Sequence, residues 1–381
     1  MFKLRVNGTC QVGALLLLLT LPLAARTPPA APQAPEAAAA AVTVAADDPS
    51  ALPSEMMPRT SKSLLLDLVK SSAGYFAVGE RGHVLKSADG KTWTQLKLPT
   101  RSALTSIATV DGHLWVGGHD GVIVHSADGG ETWQAQRRDP YFLAVGEHPA
   151  DHDPRQGAPI LDIHFSDANN GIAVGAYSLM LVTRDGGATW TPKQAIAASA
   201  APVVAAAPMQ GDVFSQEDLQ LEEESDPHLN AVASAGSGEM VIVGERGTFL
   251  RSMDGGESWQ KLGFPYKGSM FGVLSLGDGQ LLAYGLRGNV YESRDLGSSW
   301  SKVESQVSTS LMGGSALANG GAVLAGANGT VLSRPASGAP FAAATYKNAN
   351  GETPALSGIV PAGDGNYVLV GDKGVELYHP Q

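Results

Sequence analysis

A chain of 381 residues with 43% apolar side chains holds enough hydrophobic material for a sizeable core, which excludes a disordered or fibrous protein. Its formal net charge of -11 repels phosphate backbones and anionic headgroups, excluding nucleic acid and the membrane surface as partners. With Cys10 as the one cysteine, an internal disulfide framework is excluded too.

The first five residues carry Lys3 and Arg5, and an apolar run with a small-residue exit follows over Val12 to Ala25. Residues 1–25 therefore read as a secretory signal peptide. The run falls short of the roughly 20 residues needed to span a bilayer. Cys10 precedes it and is not placed as a lipid attachment site. The expectation is a periplasmic or otherwise exported protein with no membrane span and no cysteine once the signal is cleaved. Residues 26–51 are Ala- and Pro-rich without a period, as in a flexible linker.

From residue 52 a repeat governs the chain. Ser126–Trp133 reads SADGGETW, and near-copies stand at Ser87–Trp93, Thr183–Trp190, Ser252–Trp259 and Ser293–Trp300, taking five of the six tryptophans. In such a turn the carboxylate and the hydroxyl bond the local backbone, the glycines supply positive φ, and the tryptophan folds beneath. The residues assigned this structural role are Asp89, Trp93, Asp128, Trp133, Asp185, Trp190, Asp254, Trp259, Asp295 and Trp300. Upstream of each turn lies a G-x-x-G hairpin, as at Gly79–Gly82, Gly118–Gly121, Gly244–Gly247 and Gly285–Gly288, with a near match at Gly175–Ser178. Two more, Gly326–Gly329 and Gly371–Gly374, lack a tryptophan turn. Seven leading strands precede the hairpins, at Leu64–Val69, Leu104–Val110, Leu161–Phe165, Leu229–Ala233, Met270–Leu276, Thr309–Ser315 and Leu356–Val360.

Three or four short strands per unit of about 40 residues, apolar on successive positions so that both faces are covered, predict a radial stack of sheets. The fold expected is all-β: a seven-bladed propeller of four-stranded antiparallel blades in a single domain, residues 52–381. The chain stops soon after the third strand of blade seven, so Leu52–Lys62 is expected to close the ring as an N-terminal strand. Blade six has a degraded turn, with Pro335 at the Asp place and Phe341 for Trp. Insertions at 137–159 and 191–228 interrupt the repeat.

With these residues in view, the pattern A-V-G-x-x-G-x-[IV]-x-x-[ST]-x-D-G-G-x-T-W resembles the Asp-box, or bacterial neuraminidase, repeat. Its arrangement over Leu64 to Tyr378 resembles the photosystem II stability and assembly factor family, relatives of which occur in bacteria without photosynthesis. The resemblance implies an exported, non-catalytic propeller that holds a membrane or envelope protein during assembly, with a transporter subunit among the candidates. It implies no cofactor.

Strand order places the G-x-x-G turns on one rim and the tryptophan turns on the other. Arg81, Arg246, Arg287 and Lys373 are therefore expected to form a basic ring for a carboxylate-rich segment, against a reading as ordinary solvated turn residues. The alternative function is an Asp-box glycoside hydrolase or a glycan-binding lectin. Tyr284 near Arg287, or the inner-strand pair Asp67 and Asp162, would then carry the chemistry. Those two aspartates are expected instead to bond neighbouring blades. His148, Asp151, His152 and Asp153 lack the spacing of a closed metal site, so no metal is assigned. The acidic run Glu222–Glu224 reads as solvated. A monomer is expected.

Overall fold

A computed structural model describes residues 47–140, 153–194 and 226–380, all within one compact unit. Seven antiparallel sheets follow one another along the chain, six of four strands and the last of three. Blade one runs Leu65–Ser71, Gly74–Gly79, Val84–Ser87 and Thr94–Leu96 from axis to periphery. The inner strands of blades two to seven are Leu104–Val110, Ile160–Phe165, Leu229–Ser234, Met270–Gly277, Leu311–Ala316 and Leu356–Gly363. This is the seven-bladed propeller that the repeat predicts. The expected signal peptide, and the expected linker up to residue 46, lie outside the described residues, as does most of each insertion. Thr191–Pro192, counted with the second insertion, is the outer strand of blade three.

The runs of successive apolar residues are explained by what covers them. Second strands such as Gly171–Gly175 and Met240–Gly244 are buried at every position, because each blade packs on both neighbours. Seven apolar clusters form, one per blade interface. The turn aromatic of a blade joins the cluster shared with the blade before it. Trp93 packs with Leu377 and Val368 of blade seven, Trp133 with Phe76 of blade one, and Trp300 edge-on to Phe249 of blade four at 5.2 Å. Phe341, the stand-in of blade six, is 2% exposed beside Tyr284 and Val290 of blade five. The sixth tryptophan, Trp115, is fully buried, stacks on Phe165 of blade three at 3.6 Å and donates to the Gly186 carbonyl at 3.1 Å.

Two expectations are corrected. The first is ring closure, since blade seven has only Leu356–Gly363, Asn366–Gly371 and Gly374–Tyr378. The N-terminal segment does reach it, but as the 3-10 turn Thr60–Lys62 and not as a strand. The Ser61 carbonyl lies against Gly374, where a Cβ would come within 2.0 Å, and Lys62 pairs with Glu376. Further upstream the segment follows the outer edge of blade one: Ser54 N–H donates to the Leu98 carbonyl at 3.0 Å and Leu98 N–H to Ser54 Oγ at 2.9 Å. Arg101 N–H donates to the carbonyl of Pro49, so residues 47–51 are packed as well. Pro49, Pro53 and Pro58 lack the N–H that a continuous ladder needs. At the axis the ring is closed by Ser357 Oγ, which donates to the Leu65 carbonyl of blade one at 2.8 Å.

The second correction is the register of the degraded turn. Arg334, paired with Ala322, takes the place held by Ser293, paired with Leu281, in blade five; Ala336, and not Pro335, then falls at the Asp place. Arg334 is 1% exposed, bonds Glu292 of blade five at 2.6 Å and lies over the Phe341 ring at 5.2 Å. An ion pair thus replaces the hydroxyl–carboxylate clamp.

These environments rank the tryptophans. Trp115→Ala should cost about 3 to 5 kcal/mol, whereas Trp190→Ala, removing a ring that is only half-buried, should cost clearly less. Denaturant unfolding of the two variants checks the order, and the reverse order would contradict the packing described.

Candidate functional site: the rim and the channel

Chain direction gives the propeller two unlike faces. Turns between third and outer strands share a face with turns between inner and second strands, as shown by Gly129 N–H on the Gly112 carbonyl and Gly186 N–H on the Asn169 carbonyl. On that face the turn carboxylates are satisfied by the turns themselves, whereas the indole N–H groups of Trp190, Trp259 and Trp300 meet no acceptor among the described residues. Asp128 Oδ1 accepts from Ser126 Oγ at 2.8 Å and Thr132 N–H at 2.9 Å, and Oδ2 accepts from Thr132 Oγ1 at 2.6 Å. The same closed set recurs around Asp185, Asp254 and Asp295. The turn at Asp89 is one residue shorter and uses the Lys91 and Thr92 N–H groups. Hydrogen bonds, that of the Thr132 hydroxyl first, hold the Asp128 carboxyl well below the usual range.

The opposite face carries the G-x-x-G hairpins beside the starts of the inner strands, with Glu80 N–H on the Leu64 carbonyl. In six blades the second residue of the hairpin is left-handed: Arg81 at φ 55, Asp120 at 58, Tyr177 at 55, Arg246 at 53, Arg287 at 56 and Asn328 at 57. Asp and Asn enter this region readily, while for other side chains it costs on the order of 1–2 kcal/mol. Three arginines and a tyrosine therefore stand on strained backbone, and all four are exposed. Lys373 differs, since it lies in a two-residue hairpin where Gly374 takes the positive φ.

All four predicted basic residues are thus on this face, but they are not equivalent. Arg81 pairs with Glu55 at 3.2 Å and Lys373 with Glu352 at 3.7 Å. Arg287 makes no ion pair among the described residues. Tyr177 also stands at the arginine position, in the near match Gly175–Ser178. It sits where the second insertion returns: its ring meets His228 edge-on at 5.3 Å, and Ser178 N–H donates to the Pro227 carbonyl. Arg155 joins the far end of the first insertion to this place through Asp226 at 2.7 Å. Of the His/Asp group, only Asp153 is described, near Arg155 at 3.9 Å, and Glu222–Glu224 lie outside the described residues. No set of three metal-ligating side chains occurs among the described residues.

Between the faces runs the axial channel. Each inner strand slips register near its start, as at Leu65/Asp67 in blade one and Leu229/Ala231 in blade four, and in several blades a polar side chain at or beside the bulge reaches the next blade. Asp67 Oδ2 accepts from Ile107 N–H of blade two at 2.8 Å, and Asp162 Oδ2 accepts from Val232 N–H of blade four at 2.8 Å. Between these, Ser106 Oγ of blade two accepts from Ile163 N–H of blade three at 2.9 Å. Asn230 donates onward to the Met270 carbonyl. The two aspartates are inter-blade latches, as expected. Burial pushes Asp67 up to about 7 and Asp162 up to about 6, the hydrogen bonds offsetting part of the effect. Burial, and then the charges of Asp162 and Asp67, pushes the Tyr284 phenol upward, opposite to what a tyrosine nucleophile requires.

The fold places the chain among seven-bladed propellers built from a repeated hairpin unit. Within that class it belongs to the photosynthesis system II assembly factor YCF48 family, whose model matches residues 51–141 and 204–378. Among solved structures it is similar to YCF48 bound to D1 peptide, with TM-score 0.58 and 16% identity, covering 86% of this chain and 96% of that one. It is also similar to YCF48 from Cyanidioschyzon merolae, with TM-score 0.56, 17% identity and 86% and 98% of the two chains covered. The WD40 propeller domain of Doa1 gives TM-score 0.57 at 12% identity over 87% of this chain and 97% of that one. No curated protein matches the chain. No described helix is long and apolar enough to cross a membrane.

The latches set a pH dependence. Asp67 and Asp162 take up protons more readily folded than unfolded, so the folded state is favoured where both are protonated, and that stability is lost as pH rises from about 4 through their folded values of about 6 and 7. Melting temperature should therefore fall between pH 5 and pH 8, and Asp67→Asn should flatten the fall. A wild-type curve rising over this range, or a slope untouched by the substitution, would contradict the assignment.

Proposed function

We propose that this protein is an exported, non-catalytic scaffold that captures a segment of a membrane or envelope protein on the G-x-x-G rim, acting as a monomer. The observation that carries this reading is the strained backbone under Arg81, Tyr177, Arg246 and Arg287, at turns where Asn328 shows a less costly residue in the same place. These side chains are exposed, and beyond contacts within the fold such as Arg81 with Glu55 and Tyr177 with His228 they are placed to meet a partner. Arginine offers a planar fork to carboxylates, so the segment recognised is acidic. Family membership and a YCF48 relative that binds a D1 peptide support capture of a membrane-protein segment as the mode of action. On the tryptophan-turn face the turn carboxylates are already occupied by their own turns, which leaves them little to offer a partner.

The test is the double variant Arg246→Asn/Arg287→Asn, which removes two cations while easing the backbone. Its melting temperature should stay near that of wild type. Crosslinking in intact cells followed by purification should recover an envelope membrane protein with the wild type and at least about tenfold less with the variant, a loss near 1.4 kcal/mol. Equal recovery by a folded double variant would reject the rim as the capture surface.

A further inference from the structure

Under the rim the charge changes sign. A cavity of about 240 Å³ at the channel end of the inner strands is walled by Asp67, Asp162, Tyr284, Asn230 and Phe271 among others, and no lysine, arginine or histidine lines it. The two carboxylates retain acceptor capacity: Asp67 receives one N–H on each oxygen, from Leu68 and Ile107, and Asp162 Oδ2 receives only Val232 N–H. Tyr284 points to an absent occupant independently. It is 5% exposed, and its hydroxyl makes no hydrogen bond among the described residues. The ring lies against Gly314 of blade six, and its oxygen reaches over Gly272, where a Cβ would sit 2.2 Å away. The Tyr284 hydroxyl, without a hydrogen-bond partner, and the two half-buried carboxylates, without a counter-charge, therefore face the cavity with polar groups left to satisfy.

We propose that this cavity is a binding site for one primary alkylammonium group. An ammonium head presents three donors in a compact charge, which suits the Asp67 and Asp162 carboxylates and the Tyr284 oxygen better than a planar guanidinium would. Phe271 and Met312 supply apolar wall for a methylene stem. A metal ion is disfavoured, since no third carboxylate or imidazole is near among the described residues. On the rim-capture reading the group is a lysine side chain of the captured segment, threading from a basic rim into an acidic axis; a soluble amine offers the same chemistry.

The test is calorimetric titration of the whole protein with n-butylammonium. Saturable binding is expected at pH 8 and at least about tenfold weaker binding at pH 5, because ionised carboxylates are required and their folded values lie at about 7 and about 6. Asp67→Asn and Asp162→Asn should abolish binding. Tyr284→Phe, which keeps the ring and the packing, should weaken it several-fold with unchanged melting temperature. The Arg246→Asn/Arg287→Asn variant should bind n-butylammonium as wild type does, so failure of the rim and failure of the channel give different results. Acetyl-Gly-Lys-Gly-amide binding more tightly than n-butylammonium would assign the group to a peptide lysine, and the reverse order would assign it to a free amine. No binding at pH 8, equal binding of n-butanol, or binding undiminished in Tyr284→Phe and Asp67→Asn would overturn the proposal.

Discussion

Each blade of this protein is apolar on both faces, so none has a stable surface until a neighbour covers it. The seven interface clusters are therefore one constraint repeated, and the closed ring is the only arrangement that satisfies all of them. Large side chains do this at the periphery, where Trp133 and Trp300 each reach back to the preceding blade. Nearer the axis polar side chains join the blades as well. Bulges there turn Asp67, Ser106, Asp162, Asn230 and Ser357 sideways onto the backbone of a neighbouring blade. Closure between first and last blades uses the same two devices and does not depend on a shared strand.

That constraint also divides the molecule functionally. The tryptophan turns tie blades together, and their carboxylates are occupied by the turn itself. The G-x-x-G turns need only a left-handed second residue, and any side chain that tolerates the strain can stand there. Blade six uses Asn328 and blade two Asp120, which bonds Ser102 at 2.6 Å. Blades one, four and five carry arginine and blade three tyrosine, with both insertions returning beside that tyrosine. One face is thus committed to holding the ring, and the other is free to vary in what it presents.

Much of this was legible in the residues because the repeat is local. The G-x-x-G spacing, the leading strands and the turn clamps each involve residues close in sequence, and they fixed the blade number and the face of each turn. The same spacing would also have found Arg334: the turn hydroxyl stands eight residues after the first hairpin glycine in blades one to five, and Arg334 stands eight after Gly326. What could not be read depends on contacts distant in sequence. Pro53 and Pro58 hinted that the N-terminal segment was a poor strand, but not that Ser54 would seat on Leu98. Glu55 and Glu352, which pair with Arg81 and Lys373, lie on segments whose course the repeat does not set. An isolated Asp in an apolar strand suggested a bond across blades, yet the unpartnered Tyr284 hydroxyl that lines the same cavity as those aspartates appears only in three dimensions.

The central claim is that the two faces are specialised, one for holding the ring and one for holding a partner. A photoactivatable crosslinking residue placed singly at Tyr177 or Asn328 on the G-x-x-G rim, and at Glu131 or Glu257 beside the tryptophan turns, tests it directly in cells producing the full chain. The account predicts a discrete crosslinked membrane or envelope protein from the rim positions and none from the other two. The same adduct from Glu131 or Glu257, with none from Tyr177 or Asn328, would contradict it.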